Sequence, residues 1–139
     1  MLKLTILVAA ALGGTALRAQ CATLDSTGNG AAGTNLTLAI TGADVDQFAF
    51  LLLGTSAGSS SLQLGPFGTL NFGLAQPWFP YYIGQTNPAG AAAVTIPIPL
   101  SLPVSTTMAG QGLTFGLESG TSTPTLNSCT TNVITFRIG

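Results

Sequence analysis

Beyond its first twenty residues the chain alternates apolar and polar positions with a period of two, the pattern of half-buried strands rather than helices. Thr34–Thr41 sets Leu36, Leu38 and Ile40 on one face against polar or small residues on the other. Gln47–Leu53 is apolar on both faces, with Phe48, Phe50 and Leu52 opposing Ala49, Leu51 and Leu53, and so predicts the most buried strand. Gly54–Ser59 predicts a flexible turn and Ser61–Leu64 the start of a return strand. After a second turn at Gly65–Gly68, Thr69–Leu74 points Leu70, Phe72 and Leu74 inward. Leu113–Glu118 does the same with Leu113, Phe115 and Leu117, and Asn132–Ile138 with Ile134, Phe136 and Ile138. Glu118 and Arg137 both fall on outward faces and are expected to pair across strands.

The segment around Val94 carries a more specific prediction. Val94, Ile96, Ile98 and Leu100 share one face, and Pro97 and Pro99 alternate with them. Residues two apart in a strand aim their backbone groups at the same lateral edge, so the two prolines strip donors from one edge and leave the other free to pair. This predicts an edge strand blunted against aggregation. Seven or eight short strands, regular turns and no amphipathic helix predict an all-β fold, an antiparallel β-sandwich of Greek-key or jelly-roll type. The rival is an eight-stranded membrane barrel, against which stand prolines within a strand and strands short of the ~9–11 residues needed to span.

Residues 1–20 read as a secretory signal peptide: Lys3 supplies the positive charge, Leu4–Leu17 an apolar stretch too short for an ordinary membrane span, and small residues follow. Cleavage is expected after Ala19 or Gln20, with Ala16 as the fallback. Residues 21–139 then form a single domain with no integral membrane span. Its two cysteines, Cys21 and Cys129, are expected to form a disulfide pinning the N-terminal end to the last strand. Lipidation of Cys21 is the competing fate, weakened by Arg18-Ala19-Gln20, which lacks the aliphatic and small residues that precede a lipidated cysteine.

Charge then narrows the function. Past Gln20 the ionised side chains are Asp25, Asp44, Asp46, Glu118 and Arg137, a net charge of −3, and the chain has no histidine. Without clustered Lys or Arg, nucleic acid and anionic membrane surfaces are not expected partners. Histidine-dependent triads, Cys-His pairs and His-ligated metals are excluded, and no cofactor is expected.

Three constellations remain. In Trp78-Phe79-Pro80-Tyr81-Tyr82 the sole tryptophan and both tyrosines fall within five residues. Flat aromatic faces stack on sugar rings, with Gln76, Gln85 and Asn87 near enough to bond hydroxyls. The same residues serve as anchors at protein interfaces, or simply cap a sandwich core. Alternation that turns Phe79 and Tyr81 inward leaves Trp78, Pro80 and Tyr82 outward. Asp25-Ser26-Thr27-Gly28-Asn29-Gly30 copies the start of a calcium loop, but Leu36 stands where the bidentate Glu belongs, and a polar lead-in to a strand is the simpler reading. Asp44 and Asp46, two apart, have the spacing of paired carboxylates on one strand face, yet follow Thr41-Gly42-Ala43 and read as an acidic turn. Ser59-Ser60-Ser61 has no base nearby and reads as a turn.

The run Phe50-Leu51-Leu52-Leu53-Gly54, the step Leu62-x-Leu64-Gly65, the strand Ile96-Pro97-Ile98-Pro99, the turn Gly110-Gln111-Gly112 and the closing strand resemble a group of bacterial exported proteins. That group is abundant in planctomycete-type genomes and shares a short β-rich domain of uncharacterised function. The resemblance implies export and an all-β fold, and carries no active-site residues. The expectation is a non-catalytic structural or adhesive module at the cell surface or in the extracellular matrix, contacting a glycan or another surface protein. The alternative is a carbohydrate-binding module using Trp78, Tyr81 and Tyr82.

Overall fold

The computed structural model describes residues 16–101, 105–118 and 125–139. Most of the leader, including Lys3, therefore lies outside the described residues, as do the side chains of Leu117, expected inward, and Glu118. Among the described residues nine strands form: β1 (Ala16–Thr27), β2 (Asn35–Thr41), β3 (Phe48–Gly54), β4 (Ala57–Gln63), β5 (Thr69–Leu74), β6 (Trp78–Gln85), β7 (Ala92–Pro97), β8 (Thr106–Glu118) and β9 (Thr125–Ile138). The only helical piece among the described residues is one 3-10 turn at Gly65–Phe67. The fold is all-β, as the alternation predicts.

Seven strands make one sheet in the order β6-β3-β8-β9-β1-β2-β7, and β4 and β5 pair in a small second sheet. Every pairing is antiparallel except β1 with β9, which run parallel. The large sheet is mixed and curls partly into a barrel. Its concave face closes around Leu24, Leu36, Leu38, Ile40, Ala49 and Leu51, each 0–1% exposed. Apolar side chains thus fill the inside of the curl, the reverse of a membrane-spanning barrel, whose apolar band faces outward. A second core lies on the outer face, where β5 sets Leu70, Phe72 and Leu74 against Leu52, Ala109 and Leu113. Strand β3 stands between the two cores, with Ala49 and Leu51 in one and Leu52 in the other. This is why its sequence is apolar on both faces.

The tight curl depends on β8. Gly110-Gln111-Gly112, read from sequence as a turn, lies in the middle of this thirteen-residue strand. Gly112 faces the inner core, and a Cβ there would sit 2.8 Å from Ile40 Cδ1 and from Thr131 Cγ2. At Gly110 a Cβ would lie 3.2 Å from the Phe136 ring. The glycines therefore serve close packing: Ile40, reaching across the curl from β2, and Thr131 and Phe136 of the adjacent β9 occupy the volume that Cβ atoms on the glycines would need.

Strand β7 is an edge strand, as the prolines predict. Ile98 N–H donates to Thr34 O and Gly33 N–H to Ile98 O, both at 2.8 Å, so by alternation Pro97 and Pro99 face the open side. The strand stops at Pro97, leaving Leu100 84% exposed rather than inward. The expected Glu118–Arg137 pair is contradicted by the register: Arg137 lies opposite Thr107 and Glu118 opposite Thr125, at opposite ends of the β8–β9 ladder. The Arg137 guanidinium instead donates to Ser105 Oγ. Strand β4 contains the expected return at Ser61 but begins earlier, at Ala57 within the stretch assigned to the Gly54–Ser59 turn, and its seven residues are almost wholly exposed.

Cys21 and Cys129 are joined in a disulfide, Cα atoms 5.6 Å apart. It ties the first strand to the last, beside the parallel pairing of Ala22 with Thr131. Pairing of β1 begins inside the stretch read as leader, with Ala16, Leu17 and Arg18 opposite Asn127, Ser128 and Cys129.

Candidate functional site

Strand β6 is the second edge of the large sheet, and it carries the aromatic segment. Its pairing with β3 puts Trp78 opposite Gly54, Pro80 opposite Leu52 and Tyr82 opposite Phe50, on the outer face. Phe79 and Tyr81 lie opposite Leu53 and Leu51, on the side of the inner core. Alternation therefore sorts the rings as predicted, but exposure does not follow. An edge strand overhangs the core it faces, and Phe79 is 70% and Tyr81 54% exposed. Trp78, expected outward, is half-buried: its ring meets Phe72 edge-on at 5.1 Å and its Nε1–H donates to Ser60 Oγ at 2.9 Å. Trp78, Tyr81 and Tyr82 consequently do not share one platform.

Tyr82, 51% exposed, belongs to a different group, one that strand register assembles from three strands. Its ring lies 5.2 Å from Phe50 and 6.4 Å from Phe48, and Phe50 stacks on Phe115 at 5.4 Å with planes 8° apart. Phe48 also contacts Phe115 at 5.8 Å and is 43% exposed. Next to this row opens a cleft of about 280 Å³ between the two sheets, walled by Phe50, Leu52, Leu62, Phe72, Trp78 and Phe115. Phe48 and Phe115, separated by 67 positions, gave no signal in the linear pattern; only their register on β3 and β8 joins them to Tyr82.

The acidic candidates separate. Asp25, Ser26 and Thr27 belong to β1 and pair with Ala39, Leu38 and Thr37, so the first half of the calcium-loop likeness falls on extended strand. Asp44 and Asp46 lie in the link between β2 and β3 rather than on a strand. There Asn127 Nδ2 donates to the Asp44 carboxylate at 2.9 Å and Thr86 Oγ1 to its backbone carbonyl at 2.6 Å. These bonds fasten the link over the end of the curl. Among the described residues no three His, Cys, Asp or Glu side chains come together as a metal site. Ser59, Ser60 and Ser61 lie in β4, where Ser60 holds Trp78.

Comparison with protein-family models, curated proteins and solved structures finds no match.

Proposed function

We propose that this is an exported, non-catalytic β-module that acts by contact, with the β6 edge and its aromatic neighbours as the adhesive surface. The observation that carries the reading is the exposure of Phe79, Tyr81 and Tyr82 on the β6 edge, with Phe48 exposed on the neighbouring β3, in a chain with five ionised side chains past Gln20. Exposed aromatic clusters of this kind supply large, rigid contact area and mark interaction surfaces. Pro80 within β6 has no N–H to offer an added strand, which favours contact through side chains over edge-to-edge pairing. Export is supported by the apolar N-terminal stretch, by the disulfide, which belongs to oxidising compartments, and by the resemblance to exported bacterial domains. No helix among the described residues is long and apolar enough to cross a membrane.

The carbohydrate reading retains one specific support: Phe79 and Tyr81, two positions apart on one face, form an exposed aromatic pair roughly 7 Å long. Retention assays separate the two. The wild-type protein is expected to be held on an octyl-agarose surface and released by the triple change Phe79→Ser, Tyr81→Ser, Tyr82→Ser, with an unchanged melting temperature. Retention on insoluble polysaccharide but not on octyl-agarose would favour the carbohydrate-binding module; retention on neither would overturn both.

A further inference from the structure

Strands β1 and β9 run side by side only as far as Ala22 opposite Thr131. Immediately beyond, the Asn132 side chain takes the place of a backbone partner, accepting from Leu24 N–H at 2.8 Å and donating to Leu24 O at 3.2 Å. The strands then diverge, and their far ends are tied again where Gly139 N–H donates to Gly30 O at 2.8 Å. Gly30 lies so close to the Arg137 carbonyl that no Cβ would fit, and its positive φ of 71° suits only glycine well. Between the two ties lies a half-open cleft of about 270 Å³. Ser26 and Asn29 stand on one wall, Thr135 and Arg137 on the other, with the buried side chains of Leu36 and Phe136 at its base.

The polar groups of this cleft are held and unspent. Arg137 is the only cation of the chain after residue 18. Its Nε and Nη2 donate to Ser105 Oγ at 3.1 and 2.7 Å, which fixes the guanidinium by its side edge. Either edge of a guanidinium can receive a carboxylate bidentately, and with the side edge on Ser105 the end edge, with its parallel Nη1 and Nη2 hydrogens, is the one left. Among the described residues it has no acceptor. Asn29 Oδ1 accepts from Ala31 N–H at 3.0 Å, so its amide hydrogens remain to donate. The Ser26 and Thr135 hydroxyls have no partner among the described residues. Asp25, the nearest acid along β1, points to the opposite face from Ser26 and does not line the cleft.

We infer that this cleft binds a carboxylate-bearing saccharide, a uronic acid unit, with Arg137 taking the carboxylate. Ser26, Asn29 and Thr135 bond ring hydroxyls, and Leu36 and Phe136 supply an apolar floor. The site is independent of the aromatic edge, since β8 and β3 stand between β9 and β6. It gives a charge-poor module one place where an acidic polysaccharide is told from a neutral one.

The test is a titration of the isotopically labelled protein followed by backbone amide NMR, with glucuronate, glucose and acetate as probes. Glucuronate is expected to shift Ser26, Gly28, Asn29 and Arg137, with glucose and acetate each weaker by roughly tenfold or more, the scale of one charge-assisted contact. Arg137→Gln, at an exposed position, is expected to abolish the preference for glucuronate over glucose while leaving Phe79 and Tyr82 signals untouched. Thr135→Val, also exposed, tests the hydroxyl arm and should weaken glucuronate and glucose while leaving acetate unchanged. Equal response to glucose, equal response to acetate, no response at the cleft, or full binding by Arg137→Gln would each overturn the inference.

Discussion

Removing the disulfide by the paired change Cys21→Ala and Cys129→Ala should lower stability mainly through the unfolded chain. The bond closes a separation of 108 residues. In the chain-entropy treatment, a loop of that length restricts the unfolded state by about 16 cal/mol/K, or ~4.8 kcal/mol at 25 °C. For a domain of about 120 residues the entropy of unfolding near its midpoint is ~0.25 kcal/mol/K, so the expected fall in Tm is about 19 °C. The native sheet should survive, because Ala22 still pairs with Thr131 and Asn132 still bridges to Leu24. Urea melts followed by near-ultraviolet circular dichroism, compared with intact and reduced wild type, check this. The slope m should rise as the midpoint falls, because an uncrosslinked unfolded chain exposes more surface. A loss below about 2 kcal/mol with unchanged m would refute the argument. It would mean the unfolded chain is not freed by cutting the link.

Three further substitutions have signs set by single contacts. Thr114→Val should raise Tm by about 4 °C, because Thr114 Oγ1 is buried with no hydrogen-bond partner among the described residues and its desolvation costs ~1 kcal/mol or more; a lower Tm would contradict this. Gly112→Ala sets an unfolded-state gain of about 0.4–1 kcal/mol against overpacking of about 1–3 kcal/mol. The clash with Ile40 and Thr131, both buried, should win, so denaturant melts should show a net loss. Asn132→Ala removes both bonds to Leu24 and orphans its backbone groups. The expected cost is about 1–3 kcal/mol, with faster amide exchange at Leu24 as the direct readout.

Local rules carried much of the architecture. Leu36, Leu38 and Ile40, and Leu70, Phe72 and Leu74, are buried as their alternation requires, since a strand has only two faces and one must leave water. The prolines at 97 and 99 announced an edge because a missing N–H is tolerated only where nothing accepts it. The rule that glycine marks turns failed at Gly110 and Gly112. What decides those positions is Ile40 reaching across the curl to Gly112 and Phe136 of the adjacent β9 lying against Gly110, contacts between residues far apart in sequence.

The candidate surface divides in the same way. The aromatic density of Trp78–Tyr82 is a property of the sequence, and so is the chain's poverty in charge. Which rings are exposed is a property of neighbours: Trp78 is taken up by Phe72 and Ser60 from the small sheet, while Phe79 has no strand beyond it to cover it. Parallel pairing of β1 with β9 follows from no local pattern, because period-two alternation is the same whichever way a neighbour runs. That one choice brings the two cysteines together. The divergence of the same two strands beyond Asn132 places Ser26 and Asn29 across a cleft from Arg137, more than a hundred residues away in the chain. The sequence by itself determined strands, edges and the scarcity of charge, which depend on residues one to three apart. Only the tertiary structure decided which strands lie side by side and which outward side chains are covered, because that depends on what packs against them.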